Sequence, residues 1–88
     1  MEDKDLIKIL KAVANENRFI ILKCLCKSKE LSVGDLAEMT KSPFRSVSSD
    51  ISVLRKANLV QTRNHCSNRL YSINNSSFLK GLFQYFLE

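Results

Sequence analysis

Between Leu31 and Arg63 the chain carries two short segments of helical apolar spacing, parted only by Lys41-Ser42-Pro43, and the second runs straight into strand-forming residues. The first opens on Leu31-Ser32-Val33-Gly34-Asp35. There Ser32, with Asp35 three residues on, resembles a capping box in which Asp replaces the commoner Glu. Its helix spans about 33–40, with Val33, Leu36, Ala37 and Thr40 inward. After the break, Ser42 is expected as N-cap and Pro43 as first helical residue, since proline's missing N–H would be unpaired there anyway. The second helix spans about 43–56 and turns Val47, Ile51 and Leu54 inward; Asn58 suits a left-handed C-cap in place of Gly. Residues 59–63 and 69–73 then read as two strands, with the polar stretch 64–68 as a fairly long hairpin tip.

The flanking segments supply the rest of a core. Residues 4–14 place Leu6, Ile7, Leu10, Val13 and Ala14 on one helical face. Asn15 is expected to cap a second helix that runs to about Cys26 and is apolar nearly all round, which places it at the centre of the fold. Asn74 or Asn75 is expected to cap a last helix carrying Phe78, Leu79, Leu82, Phe83, Phe86 and Leu87 on one face. With 88 residues the chain suffices for one domain, expected to span 1–88, and not for two. The order α-α-α-turn-α-β-β-α, mainly helical with one small hairpin, is that of a winged helix-turn-helix.

Geometry and charge together suggest a partner. A major groove admits one helix, the preceding helix braces it, and a hairpin reaches a neighbouring groove or phosphate. Fourteen Lys and Arg against nine Asp and Glu give a net charge of +5, which favours a polyanion. The fourth helix is expected to turn Arg45, Ser46, Ser49, Asp50, Ser52, Val53 and Lys56 outward, with Ser42 at its start. Arg45 suits a guanine edge or a phosphate, the short serines permit close approach, and Asp50 suits a cytosine amino group while repelling phosphate. In the hairpin, Arg63, His65, Asn68 and Arg69 are the expected contacts to backbone or minor groove; Phe44 reads as a packing residue.

These residues resemble one known family. Leu10 to Leu22, Leu31 to Ala37, Ser46 to Val60 and Arg69 to Ile73 are together similar to ArsR-type regulators over roughly residues 6–75. The resemblance implies a homodimer that binds double-stranded DNA at an inverted repeat and usually represses, with the first and last helices at the interface. On that reading Leu6, Ile7, Leu10, Phe78, Leu79, Leu82, Phe83 and Phe86 line the interface. The six large apolar residues of the last helix, more than one side of a small domain readily covers, point the same way.

The chain also departs from the family. Ser32 and Gly34 stand where one family metal site has cysteines, and the last helix lacks the Asp and His of another, so neither metal nor cofactor is expected. Asp50 stands where a His is common, and Asn58 where Gly is usual. Cys24 and Cys26, two apart on a helix, diverge by about 200° and read as buried structural thiols. Cys66, near Arg63, His65 and Arg69, is the candidate for a redox-sensitive thiol. No catalytic constellation or phosphate-binding glycine loop is present, so an enzyme is not expected. Three cysteines, a charged N-terminus and dispersed basic residues point to the cytoplasm and away from membranes. The competing readings are a winged-helix protein-interaction module and a nonspecific DNA binder.

Overall fold

The computed structural model describes residues 2–74 together with Gly81 and Phe83. Four helices precede a hairpin: α1 (Asp3–Val13), α2 (Glu16–Lys27), α3 (Val33–Thr40), α4 (Phe44–Lys56), β1 (Val60–His65) and β2 (Asn68–Ile73). The strands pair antiparallel, from Val60 opposite Ile73 to His65 opposite Asn68.

Local chemistry explains where the helices start. Asn15 is extended (φ −150°, ψ 127°), and its side-chain oxygen accepts the Arg18 N–H at 3.1 Å, so α2 begins at Glu16. The capping box of α3 is complete: Ser32 Oγ accepts from Asp35 N–H and Asp35 Oδ2 accepts from Ser32 N–H, both at 3.0 Å. Such a cap is worth about 1 kcal/mol.

α2 packs against α1, α3, α4 and β2 and so occupies the centre. The buried core joins Ile21, Leu22 and Leu25 of α2 to Leu36 of α3, and to Val47, Ile51 and Leu54 of α4, with Leu59 and Val60 beyond. Leu22, Leu36 and Leu54 are wholly buried, and truncating any of them to Ala would cost roughly 2–5 kcal/mol. Ile20, by contrast, is 39% exposed, so α2 is not buried all round. The hairpin is tied to this core twice. Leu31 and Tyr71 exchange backbone hydrogen bonds at 3.0 and 2.8 Å, and Asn74 N–H donates to the Leu59 carbonyl at 3.0 Å.

Four sequence expectations need correction. Pro43, not Ser42, holds the N-cap position of α4: at φ −59° and ψ 142° it is still extended while its carbonyl accepts Val47 N–H at 3.1 Å. Ser42 Oγ instead donates to the Thr40 carbonyl at 3.3 Å. The tip is only Cys66-Ser67, because the ladder continues through residues 64, 65, 68 and 69 and Cys66 takes a positive φ of 56° to close it. Phe44, expected to pack, is 61% exposed. Cys24 and Cys26 are half-buried rather than buried, because α2 turns Ile21, Leu22 and Leu25 to the core.

The turn between α3 and α4 contains no glycine. Lys41 supplies the left-handed step (φ 54°, ψ 41°), and Ser42 N–H reaches back to the Ala37 carbonyl at 3.0 Å to close α3. Asn58 does the same after α4 at φ 60°. Of the last helix only Gly81 and Phe83 are described, both helical; Phe78, Leu79, Leu82 and Phe86 lie outside the described residues, as does the capping expected of Asn75.

Candidate nucleic-acid interface

Burial of Val47, Ile51 and Leu54 fixes the rotation of α4, and with it the set of side chains that face out. Arg45, Ser49, Ser52 and Lys56 are exposed and recur at i, i+4, i+7 and i+11. At 1.5 Å per residue they form one stripe roughly 16 Å long, with a cation at each end and two hydroxyls between. Every side chain in the stripe donates hydrogen bonds, and the hydroxyls also accept. The stripe thus matches both phosphate oxygens and the acceptor-rich guanine edge in a major groove. Phe44 and Ser46 stand exposed beside Arg45 at the N-terminal end, the end that reaches base edges in helix-turn-helix proteins.

Asp50 stands apart from this stripe. It is half-buried on the side of α4 that faces α2, where its Oδ1 accepts from Arg18 Nη1 at 3.4 Å. Arg18 also donates from Nε to the Ala12 carbonyl at 2.6 Å, so one guanidinium ties the end of α1 to α2 and α4. The carboxylate expected to meet a cytosine is therefore engaged within the protein. Ser46, one turn earlier, lines a small hollow of about 40 Å³ with Asp50 and with Asn17 and Ile20 of α2. Sequence alone did not single out Arg18, since the pair is separated by 32 residues.

The wing divides in the same way. Arg63 makes a two-pronged bond with Glu30, Nε to Oε2 at 2.5 Å and Nη2 to Oε1 at 2.8 Å. The hydrogen bonding and charge of Arg63, with a smaller contribution from His65, hold the Glu30 carboxyl below the usual range; Glu30 raises Arg63 in turn. Arg63 thus braces the wing against Glu30, three residues before α3 begins. His65, Asn68 and Arg69 are exposed toward the tip, His65 opposite Asn68 and Arg69 opposite Asn64. Cys66, at the turn, is exposed, whereas burial pushes the Cys26 thiol up.

α1 presents a second surface. Leu6, Ile7 and Leu10 are 37%, 51% and 51% exposed on one face. Phe83 is 1% exposed and stacks on Phe19, ring centroids 5.6 Å apart, within its own chain. Its apolar area is already covered inside the protomer, so of the expected interface residues that are described, Leu6, Ile7 and Leu10 are the exposed ones.

Comparison with known proteins agrees with this geometry. Residues 15–62 match the model of the bacterial regulatory protein arsR family. The transcriptional activator HlyU of Vibrio cholerae is 34% identical over 70 residues, 80% of this chain; those residues span 64% of that relative's length. The structure of HlyU superposes with a TM-score of 0.85 at 32% identity, covering 98% of this chain and 94% of that one. The transcriptional repressor PagR of Bacillus anthracis gives a TM-score of 0.84 at 26% identity, covering 94% and 93%. The homodimeric winged helix-turn-helix DNA-binding domain Mb0332 of Mycobacterium bovis shares the fold at a TM-score of 0.85 and 24% identity, covering 99% and 84%. With its helix pair, its wing and its outward stripe on α4, the chain belongs to the arsR family of bacterial regulatory proteins and has the winged helix-turn-helix fold.

Proposed function

We propose that the chain, as a single domain over 1–88, acts in the cytoplasm as a homodimeric repressor that binds an inverted-repeat operator without a metal or cofactor. The observation that carries this reading is the stripe of Arg45, Ser49, Ser52 and Lys56 on α4. Its serines are short enough to let the helix seat in a major groove, and its two cations meet phosphate or guanine. The wing adds His65, Asn68 and Arg69.

Dimerisation is supported by the exposed apolar face of α1 and by the homodimeric description of Mb0332. Two copies related by a two-fold axis present two α4 helices, and an operator of matching symmetry follows, with half-sites about 34 Å apart. HlyU is named an activator and PagR a repressor, so both signs occur among similar proteins. Repression is favoured because occluding a promoter needs nothing beyond the DNA-binding surface itself. Sequence discrimination then rests on Arg45 and the serines, and Asp50 drops out of the base-reading set.

The test is selection from random duplexes at two salt concentrations. Enrichment of an inverted repeat, with affinity falling steeply as salt rises, is the expected outcome. Arg45→Ala then loses roughly 1–3 kcal/mol on the selected site if Arg45 reads a base. Weak binding with no enriched sequence would overturn the reading in favour of a nonspecific binder or a protein-interaction winged helix.

A further inference from the structure

α1 and the C-terminal half of α4 do not close on each other. Between them lies an open hollow of about 290 Å³, close to the lower end of the volumes that small-molecule sites occupy. Its floor is apolar, made by Ala12, Val53 and Ala57; the two alanines are buried and too small to fill the space. Its rim is wholly cationic: Lys8 and Lys11 from α1, Lys56 from α4, and Arg18. Arg18 is already paired with Asp50, so among the described residues the rim charge without an ion-pair partner is that of three exposed lysines. Their ammonium groups sit on flexible stems, able to close over a bound anion while the apolar stems extend the wall.

An apolar floor ringed by positive charge is complementary to a molecule with an apolar body and an anionic end. We propose that this hollow binds a small amphipathic carboxylate, its chain on Ala12, Val53 and Ala57 and its carboxylate among Lys8, Lys11 and Lys56. A bare anion would leave the floor wet, and an uncharged apolar molecule would forgo the lysines.

Two features set the site apart from the apolar face of α1 and from the base-reading end of α4, although Lys56 also ends the outward stripe. At about 100° per residue, Lys8, Lys11 and Ala12 centre on the side of α1 roughly opposite Leu6, Ile7 and Leu10. The hollow therefore stays open when a second copy covers the apolar face. Val53 also lies nine residues along α4 from Phe44, roughly 14 Å from the end that meets base edges. Neither the dimer nor the DNA complex is needed for the inference. A ligand here bridges α1 to the recognition helix, a position from which it would couple to both.

The full chain labelled with ¹⁵N is titrated with sodium octanoate and followed by amide chemical shifts, with octanol, octyltrimethylammonium and sodium sulfate as controls. Octanoate is expected to give saturable shifts at residues 8–12 and 53–57, and each control is expected to bind at least tenfold more weakly. The double variant Lys8→Ala/Lys56→Ala, which changes only exposed side chains, is expected to weaken octanoate at least tenfold and keep the folded spectrum. Val53→Phe, which enlarges a floor side chain into the hollow, is expected to abolish the shifts. Absence of saturable shifts at these amides, equal binding of the cationic amphiphile or of sulfate, or shifts centred on Leu6, Ile7 and Leu10 would each overturn the proposal.

Discussion

Replacing Asp50 with Ala separates two roles for one carboxylate. If Asp50 holds Arg18, its loss is read in stability; if it reads a base, its loss is read in the operator. The Nη1–Oδ1 distance is 3.4 Å and both side chains are 19% exposed. At an effective dielectric of about 20 the gross attraction at that distance is about 5 kcal/mol, most of which desolvation offsets. The contact is long for a charge-assisted hydrogen bond, and Arg18 keeps its bond to the Ala12 carbonyl when Asp50 is removed. A net loss of about 1–2 kcal/mol follows. In a domain of this size that lowers Tm by roughly 5–15 °C. The assay is thermal unfolding by circular dichroism at fixed protein concentration, with Arg18→Met and the double variant completing a cycle; the coupling energy is expected near 1 kcal/mol. The same variants are measured on the selected duplex with each base pair changed in turn, and Asp50→Ala is expected to leave the ranking of bases intact. An unchanged Tm together with relaxed discrimination at a single base pair would refute the placement of Asp50 inside the protein.

Further outcomes follow from the wing, from α1 and from the thiols. Glu30→Gln frees the Arg63 guanidinium, so DNA affinity at low salt is expected to rise and the slope of log affinity against log salt to steepen by about one phosphate contact. Because Arg63 depresses the Glu30 carboxyl, the pair persists above the ordinary carboxylate range and is lost only as pH falls through the lowered value; wild type is then expected to approach Glu30→Gln in acid. Leu10→Glu puts charge into the exposed face of α1 and is expected to shift the protein to monomer by sedimentation, while the helical signal is kept. With iodoacetamide near neutral pH, Cys66 is expected to be alkylated first and Cys26 slowly, because Cys66 is exposed and burial holds the Cys26 thiol in its protonated form.

The parts of the fold legible in the sequence are those written in local chemistry. Asn15, the Ser32–Asp35 box and Asn58 act on backbone groups within a few residues, and each does what its type favours. The inward sets of α3 and α4 follow from helical spacing, so the stripe of Arg45, Ser49, Ser52 and Lys56 was visible as the complement of Val47, Ile51 and Leu54. What was hidden depends on residues distant in the chain. A helical wheel turns Asp50 outward, and only the packing of α2 beside α4 brings Arg18 to it. Glu30 meets Arg63 because the Leu31–Tyr71 bridge draws the hairpin against the start of α3. The left-handed Lys41 and Cys66 carry no glycine signal, so residue types alone set the cap of α4 one residue early and make the tip longer than it is. Phe44 reads as a packing residue, yet at the start of α4 it is 61% exposed.

Hydroxyl-radical footprinting of the protein on a selected duplex tests the paired use of α4 most directly. A two-fold dimer that seats one α4 in each half-site gives two protected segments on one face of the duplex, centred about ten base pairs apart, and Arg45→Ala weakens both alike. A single protected segment, or uniform protection that Arg45→Ala leaves unchanged, would contradict it.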